Sequence, residues 1–170
     1  MSDDLGYTCR CCGQYHSELP MSYGAEAPAY WREEFAADAS SLLESEVCII
    51  KGEHYFVRGT IEIPVIGGDT AFGWGAWVSL SGANFKKTLD LMSTEGRESE
   101  APCFGWLATE LPLYGASTLN LKTNVHTRPV GLRPTIELEP TDHPLAVEQG
   151  KGITRERIRE IAEQLLHPDA

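Results

Sequence analysis

No stretch of this 170-residue chain reaches the roughly 18 consecutive apolar residues of a membrane-spanning helix. The first ten residues carry two aspartates and no apolar stretch, so they do not read as a secretory signal, and the cytoplasm is the expected compartment. Positive charge is scarce. Fourteen Lys and Arg face 25 Asp and Glu, a formal net charge of −11. A field of that sign repels phosphate backbones and anionic membranes, which argues against a nucleic-acid or membrane-surface binder. It suits either plain solubility or docking of a basic protein partner. Internal repeats and low-complexity tracts are lacking. So are a His-Glu-x-x-His helix, a Walker loop and a Gly-x-Ser-x-Gly elbow. With 42% apolar and 23% charged residues, the chain has enough apolar mass for a core without disulfides.

What is present begins with cysteine. Of the five, Cys9, Cys11 and Cys12 crowd into one short segment, while Cys48 and Cys103 lie apart. An odd number with no signal argues against a disulfide framework. Cys9 and Cys12 form a C-x-x-C pair followed by Gly13, with His16 four residues beyond Cys12. Two intervening residues let a tight turn aim both thiolates at one ion, and the glycine tolerates positive φ. This points to a zinc knuckle within residues 1–20. A closed tetrahedral site needs a fourth ligand, and there is no second C-x-x-C. Cys48 is the expected fourth ligand, ahead of Cys103, His54, His126 and His143. Cys11 reads as a bystander. A thioredoxin-like redox pair or free thiols are the competing readings, but no strong strand precedes the pair.

Trp31, Phe35, Ala39 and Leu42-Leu43 recur at helical spacing after Pro28 and predict a helix over 29–44. Val47–Ile50 and Tyr55–Ile63 predict a hairpin, and Phe72–Leu80 a third strand. Ser81 caps a short helix over 82–93. Alternation over Thr118–His126 puts Leu119, Leu121, Thr123 and Val125 inward, with Arg133–Pro140 as its partner strand. Asp142 is expected to cap a short helix begun by Pro144, and Thr154 a final helix with Ile158, Ile161, Ala162 and Leu165 buried. The expected class is α+β: a single domain over 1–170 with one antiparallel sheet of about five strands, helices packed on one face, and the N-terminal knuckle clipped on.

Several blocks resemble an uncharacterised bacterial family, a domain of unknown function. They are Cys9-x-x-Cys12-Gly-x-x-His16-x-x-Leu-Pro20, Phe56-Val-Arg-Gly59, Glu62-Ile-Pro64, Trp77-Val-Ser-Leu-Ser81, Thr118-Leu-Asn-Leu-Lys122, Arg133-Pro134, Asp142-His-Pro-Leu-Ala146 and Gly152-Ile-Thr154. The likeness covers nearly the whole chain and implies a bacterial single-domain protein but no activity. Cys11 is an addition to the pattern.

Three functional expectations follow. The first is a non-enzymatic interaction domain stabilised by structural zinc on Cys9, Cys12, His16 and Cys48. The second is an enzyme or small-molecule binder with a pocket near Arg58, Trp74, His126 and His143. The third is an acidic, immunity-type protein that neutralises a basic toxin. Arg128 and Arg133, two guanidinia near one sheet edge, could hold a carboxylate or phosphate or serve internal ion pairs.

Overall fold

The computed structural model describes residues 6–166. The first five residues of the expected knuckle segment lie outside them. Among the described residues there are ten strands: β1 (Tyr7–Thr8), β2 (Tyr15–His16), β3 (Ser22–Tyr23), β4 (Leu42–Leu43), β5 (Val47–Ile50), β6 (His54–Pro64), β7 (Ala71–Leu80), β8 (Cys103–Leu107), β9 (Lys122–His126) and β10 (Thr135–Leu138). Three α-helices join them: α1 (Gly82–Asp90), α2 (Pro144–Lys151) and α3 (Arg155–Leu166).

The expected single antiparallel sheet with helices on one face is not what forms. Strands β3 to β10 make one eight-stranded sheet, and five of them, β6-β7-β8-β9-β10, close on themselves as a mixed barrel. Closure comes from a parallel pairing of β10 with β6, where Thr135 lies opposite Thr60. The eleven-residue β6 is long enough to serve several partners. Its first half pairs with β5, its middle with β10, and its whole length with β7. β3 pairs parallel to β7 at Gly73 and Trp74, and β4 extends the sheet beyond β5. Hairpin patterning reports local antiparallel neighbours, whereas a parallel closure joins strands some 75 positions apart and leaves no local mark.

Alternation along each strand fills the barrel. Val57, Ile61 and Ile63 from β6, Phe72, Trp74, Ala76 and Val78 from β7, and Leu107, Val125, Ile136 and Leu138 from the others form one buried cluster. Ile158, Ile161 and Ala162 of α3 join it. Gly105 permits a close approach of β8 to β7, since a Cβ there would collide with Val78 Cγ1 and the Ser79 carbonyl. On the opposite face of β6 and β7 a second cluster gathers Cys48, Ile50, Phe56, Trp77 and Ala108.

Trp31 and Phe35 pack against that second cluster, but not from an α-helix. Only a 3-10 turn, Glu33–Ala37, forms in the stretch expected to be helical, and Leu42–Leu43 is strand. Asp38 explains the change. Its carboxylate accepts from Ser40 N at 2.9 Å, Ser40 Oγ at 2.8 Å and Ser41 Oγ at 3.0 Å, and Lys51 Nζ lies 3.1 Å away. Asp and Ser that bind nearby backbone offer the chain an alternative to the helical ladder. The cap of α2 also differs from expectation: His143, not Asp142, is the N-cap, its Nδ1 accepting from Leu145 N at 3.1 Å. Ser81 and Thr154 cap α1 and α3 as their positions suggest.

The hydrogen bonds from the Ser40 backbone and hydroxyl, with Lys51 beside them, hold the Asp38 carboxyl well below its ordinary value. A depressed carboxylate stabilises the fold above its unfolded pKa of about 3.9 and loses that contribution as pH falls through the folded value. Asp38→Asn should therefore be less stable than the parent at pH 7, and the gap should narrow below about pH 4. Urea midpoints at pH 7 and pH 3 check this. An equal gap at both would show that the charge of Asp38 contributes nothing.

Candidate metal centre

β1 and β2 form a small antiparallel hairpin, with Tyr7 opposite His16 and Thr8 opposite Tyr15. The turn between them is closed by Cys9 N donating to Gln14 O at 2.9 Å and Gly13 N donating to Cys9 O at 2.8 Å. Gly13 sits at φ 71, a left-handed conformation costly for most other residues. The turn places Cys9 at its start, Cys12 at its tip and His16 on the returning strand. The ligand atoms of these three residues all lie within 4.8 Å of one another. Cys12 Sγ and His16 Nε2 are 3.9 Å apart. Bonds of about 2.0–2.3 Å to a tetrahedral zinc would space ligands roughly 3.5–3.8 Å apart, so a small contraction would seat the ion.

Cys9 is fully buried and belongs to the core cluster, whereas Cys12 is exposed and His16 half-buried. The ring of Tyr7 stacks on that of His16, 5.1 Å between centroids. Burial raises the Cys9 thiol, and Glu163 raises it further. The backbone N–H groups of Cys12 and Cys11 directed at its sulfur, together with the Cys12 thiol, outweigh both and bring it below the ordinary thiol value. A donor set of two sulfurs and one imidazole suits zinc rather than magnesium or calcium.

The hairpin is fastened to α3 by charged side chains. Arg159 Nη2 donates to Thr8 O at 2.9 Å while its Nε donates to Glu163 Oε1 at 2.9 Å, and Arg10 pairs with Glu156 at 2.6 Å. Glu163 is a buried acid that sequence reasoning did not single out. Its signal was there: it sits beside Ala162 on the stripe that α3 buries, where a carboxylate needs a partner.

Cys48, the expected fourth ligand, does not join the three. It lies on β5 in the second buried cluster, with Phe56 and Trp77, and burial pushes its thiol up to about 11. Its β5 position pairs it with Phe56 and Leu43 on the far side of β6. The reserve candidates are elsewhere too. Cys103 is on β8, His54 begins β6, His126 ends β9 and His143 caps α2. Cys11 is exposed and outside the cluster. Among the described residues the site therefore has three protein donors.

The four residues expected around one substrate pocket do not converge. Trp74 lines a cavity of 530 Å³ that Tyr7 and His16 also line. Arg58 lines a second cavity and His126 a third. His143 Nε2 reaches the Ser117 carbonyl at 3.1 Å. The first cavity is walled by the β1–β2 hairpin, by β7 at Trp74 and Gly75, by Leu111 and Leu113, and by Leu165 of α3. Behind it runs a buried polar chain. Trp74 Nε1 donates to Tyr114 Oη at 2.9 Å, Tyr114 Oη to Glu148 Oε2 at 2.7 Å, and Arg157 Nε to Glu148 Oε1 at 2.8 Å. Burial first, then the bond to the Glu148 carboxylate, pushes the Tyr114 hydroxyl far above its ordinary pKa.

The chain belongs to the bacterial family described as "Uncharacterized protein conserved in bacteria (DUF2199)", whose model matches residues 8–153. That match spans the metal hairpin from Thr8 onward, the whole barrel and α2. No curated protein and no solved structure matches it.

Tyr114→Phe deletes the hydroxyl that links Trp74 to Glu148, leaves the buried Trp74 indole N–H without its acceptor and takes one bond from the half-buried Glu148 carboxylate, which keeps Arg157. It should cost about 1–3 kcal/mol in chemical denaturation. Unchanged stability would mean that this chain of bonds does not support the cavity wall.

Proposed function

We propose that this chain is a zinc-organised, non-enzymatic binding protein in which Cys9, Cys12 and His16 hold the ion. The observation that carries this reading is the convergence of three soft or borderline donors, all from one ten-residue hairpin, within 4.8 Å. Local origin matters, because the ion then has a nearly formed site at small entropic cost. The zinc locks the hairpin, and the hairpin forms one wall of the 530 Å³ cavity through Tyr7 and His16. On this reading the metal would brace the hairpin, and its fourth position would fall to a ligand outside the three. The cavity, mostly apolar and bordered by a few polar groups, is the kind of concavity that binds a ligand or an inserted side chain.

Free cysteines support a reducing compartment, and we place the protein in the cytoplasm. Among the described residues no helix is long and apolar enough to cross a membrane. The net charge of −11 favours a basic protein as partner.

Protein purified without added metal should carry about one equivalent of zinc by mass spectrometry. Cys12→Ser and His16→Ala should each reduce this below about a tenth, while Cys48→Ala should keep it. A metal-free parent, or a Cys48→Ala variant that loses zinc as Cys12→Ser does, would overturn the assignment. Because the barrel has its own core, chelation should expose the 6–16 segment to proteolysis without unfolding the barrel strands. Global unfolding on chelation would contradict this.

A further inference from the structure

Along the edge of β6, β5 pairs as far as Val57 and β10 begins at Thr60. Between them the edge is bridged only by loop backbone: Arg58 N donates to Glu46 O, and Thr60 N to Pro134 O. A cavity of 490 Å³ opens at this gap, at one mouth of the barrel. The end of α1 and the 127–134 loop cover it. Mouths of barrels are common ligand sites.

Four of the chain's nine arginines, Arg58, Arg97, Arg128 and Arg133, line this one cavity, against a single acid, Glu46. In a chain of net charge −11 that concentration of positive charge demands an account. Part of it is internal. Arg97 spends its N–H groups on the carbonyls of Arg128, Met92, Pro129 and Leu132. Arg133 grips Glu46 with two nitrogens at 2.9–3.1 Å. The other two are less committed. Arg128 Nη1 stands 3.8 Å from Glu62, beyond hydrogen-bond reach. The Arg58 guanidinium lies over the Trp77 ring, 5.8 Å from its centroid, and Nη1 donates a long bond of 3.3 Å to Ser45 O. Its Nε is buried and has no hydrogen-bond partner. A buried guanidinium donor without an acceptor is unfavourable unless a bound group satisfies it.

The remaining walls are apolar: Val57, Leu91, Met92, Val125, Leu132 and Pro134. Among the described residues Arg58 and Arg97 have no carboxylate partner and Arg128 faces only Glu62 at 3.8 Å, so the lining carries an excess of positive charge that an anion would balance, and the flat guanidinium fork suits a carboxylate. The apolar walls call for a hydrocarbon body behind it. We propose that this cavity binds an organic monocarboxylate with an apolar tail, its head between Arg58 and Arg128 and its tail against Leu91, Met92 and Leu132. The site is independent of the metal hairpin. Cys103, half-buried, lines the same cavity and reports on its occupancy.

Isothermal titration of the full chain with octanoate, octanol and inorganic phosphate tests this. Octanoate should bind with a Kd of order 0.1 mM, as its size allows. Octanol and phosphate should each bind at least about tenfold more weakly, since one lacks the charge and the other the tail. Arg58→Met and Arg128→Met should each weaken octanoate about tenfold, with Arg32→Met unchanged. Saturating octanoate should slow iodoacetamide labelling of Cys103 severalfold and leave Cys11 labelling unaltered. Octanol binding as well as octanoate, phosphate competing equally with it, or both Met variants keeping parental affinity would overturn the proposal. Unchanged Cys103 labelling at saturation would do the same.

Discussion

Closure of the barrel by the parallel pairing of β10 with β6 is the constraint on which the remaining architecture rests. Once Thr135 lies beside Thr60, Ile136 and Leu138 point into the same interior as Ile61 and Val78. The chain leaving β10 is then delivered to α2, which packs on β6 and β10. From there Ile153 pairs with Val65, and α3 is set across the outside with its apolar stripe inward. α3 in turn offers Arg159, Glu156 and Glu163 to the N-terminal hairpin.

The same closure shapes the first two of these cavities. Strand β7 must turn Trp74 inward to fill the barrel, and the ring then forms the floor of the cavity beside the metal hairpin. Strand β6 serves β5 and β10 along one edge, and the space where one ends and the other begins is the arginine-lined mouth. The two sites are built from the opposite requirements of one sheet: a packed interior, and an edge that changes partners.

How much of this could be read in the residues follows from range. The β5–β6 hairpin, the β9–β10 pair, the Ser81 and Thr154 caps and the α3 stripe at Ile158, Ile161 and Ala162 are local patterns that form, although β9 begins only at Lys122 rather than Thr118 and Leu165, expected to be buried, is exposed. The Cys9, Cys12 and His16 trio was legible for the same reason, since a single turn brings the three together. Cys48 was not, because whether a residue forty positions away meets the turn depends on the barrel. Its strand instead packs with Trp77 on the other side of β6. Residues 29–44 misled through aromatic spacing alone. Trp31 and Phe35 do bury a shared surface, but Asp38 with Ser40 and Ser41 draws the backbone into turns. Arg128 and Arg133 stood out as neighbours; the approach of Arg58 and Arg97 to them required the closed barrel.

The cluster of Cys9, Cys12 and His16 is the point where sequence, fold and proposed role meet. X-ray absorption at the zinc edge on the purified protein examines it most directly. The expected spectrum has two sulfur neighbours at about 2.3 Å and light-atom neighbours at about 2.0 Å, one of them with the outer-shell pattern of imidazole. Three sulfurs, or a shell of oxygen and nitrogen alone, would contradict a site made by Cys9, Cys12 and His16.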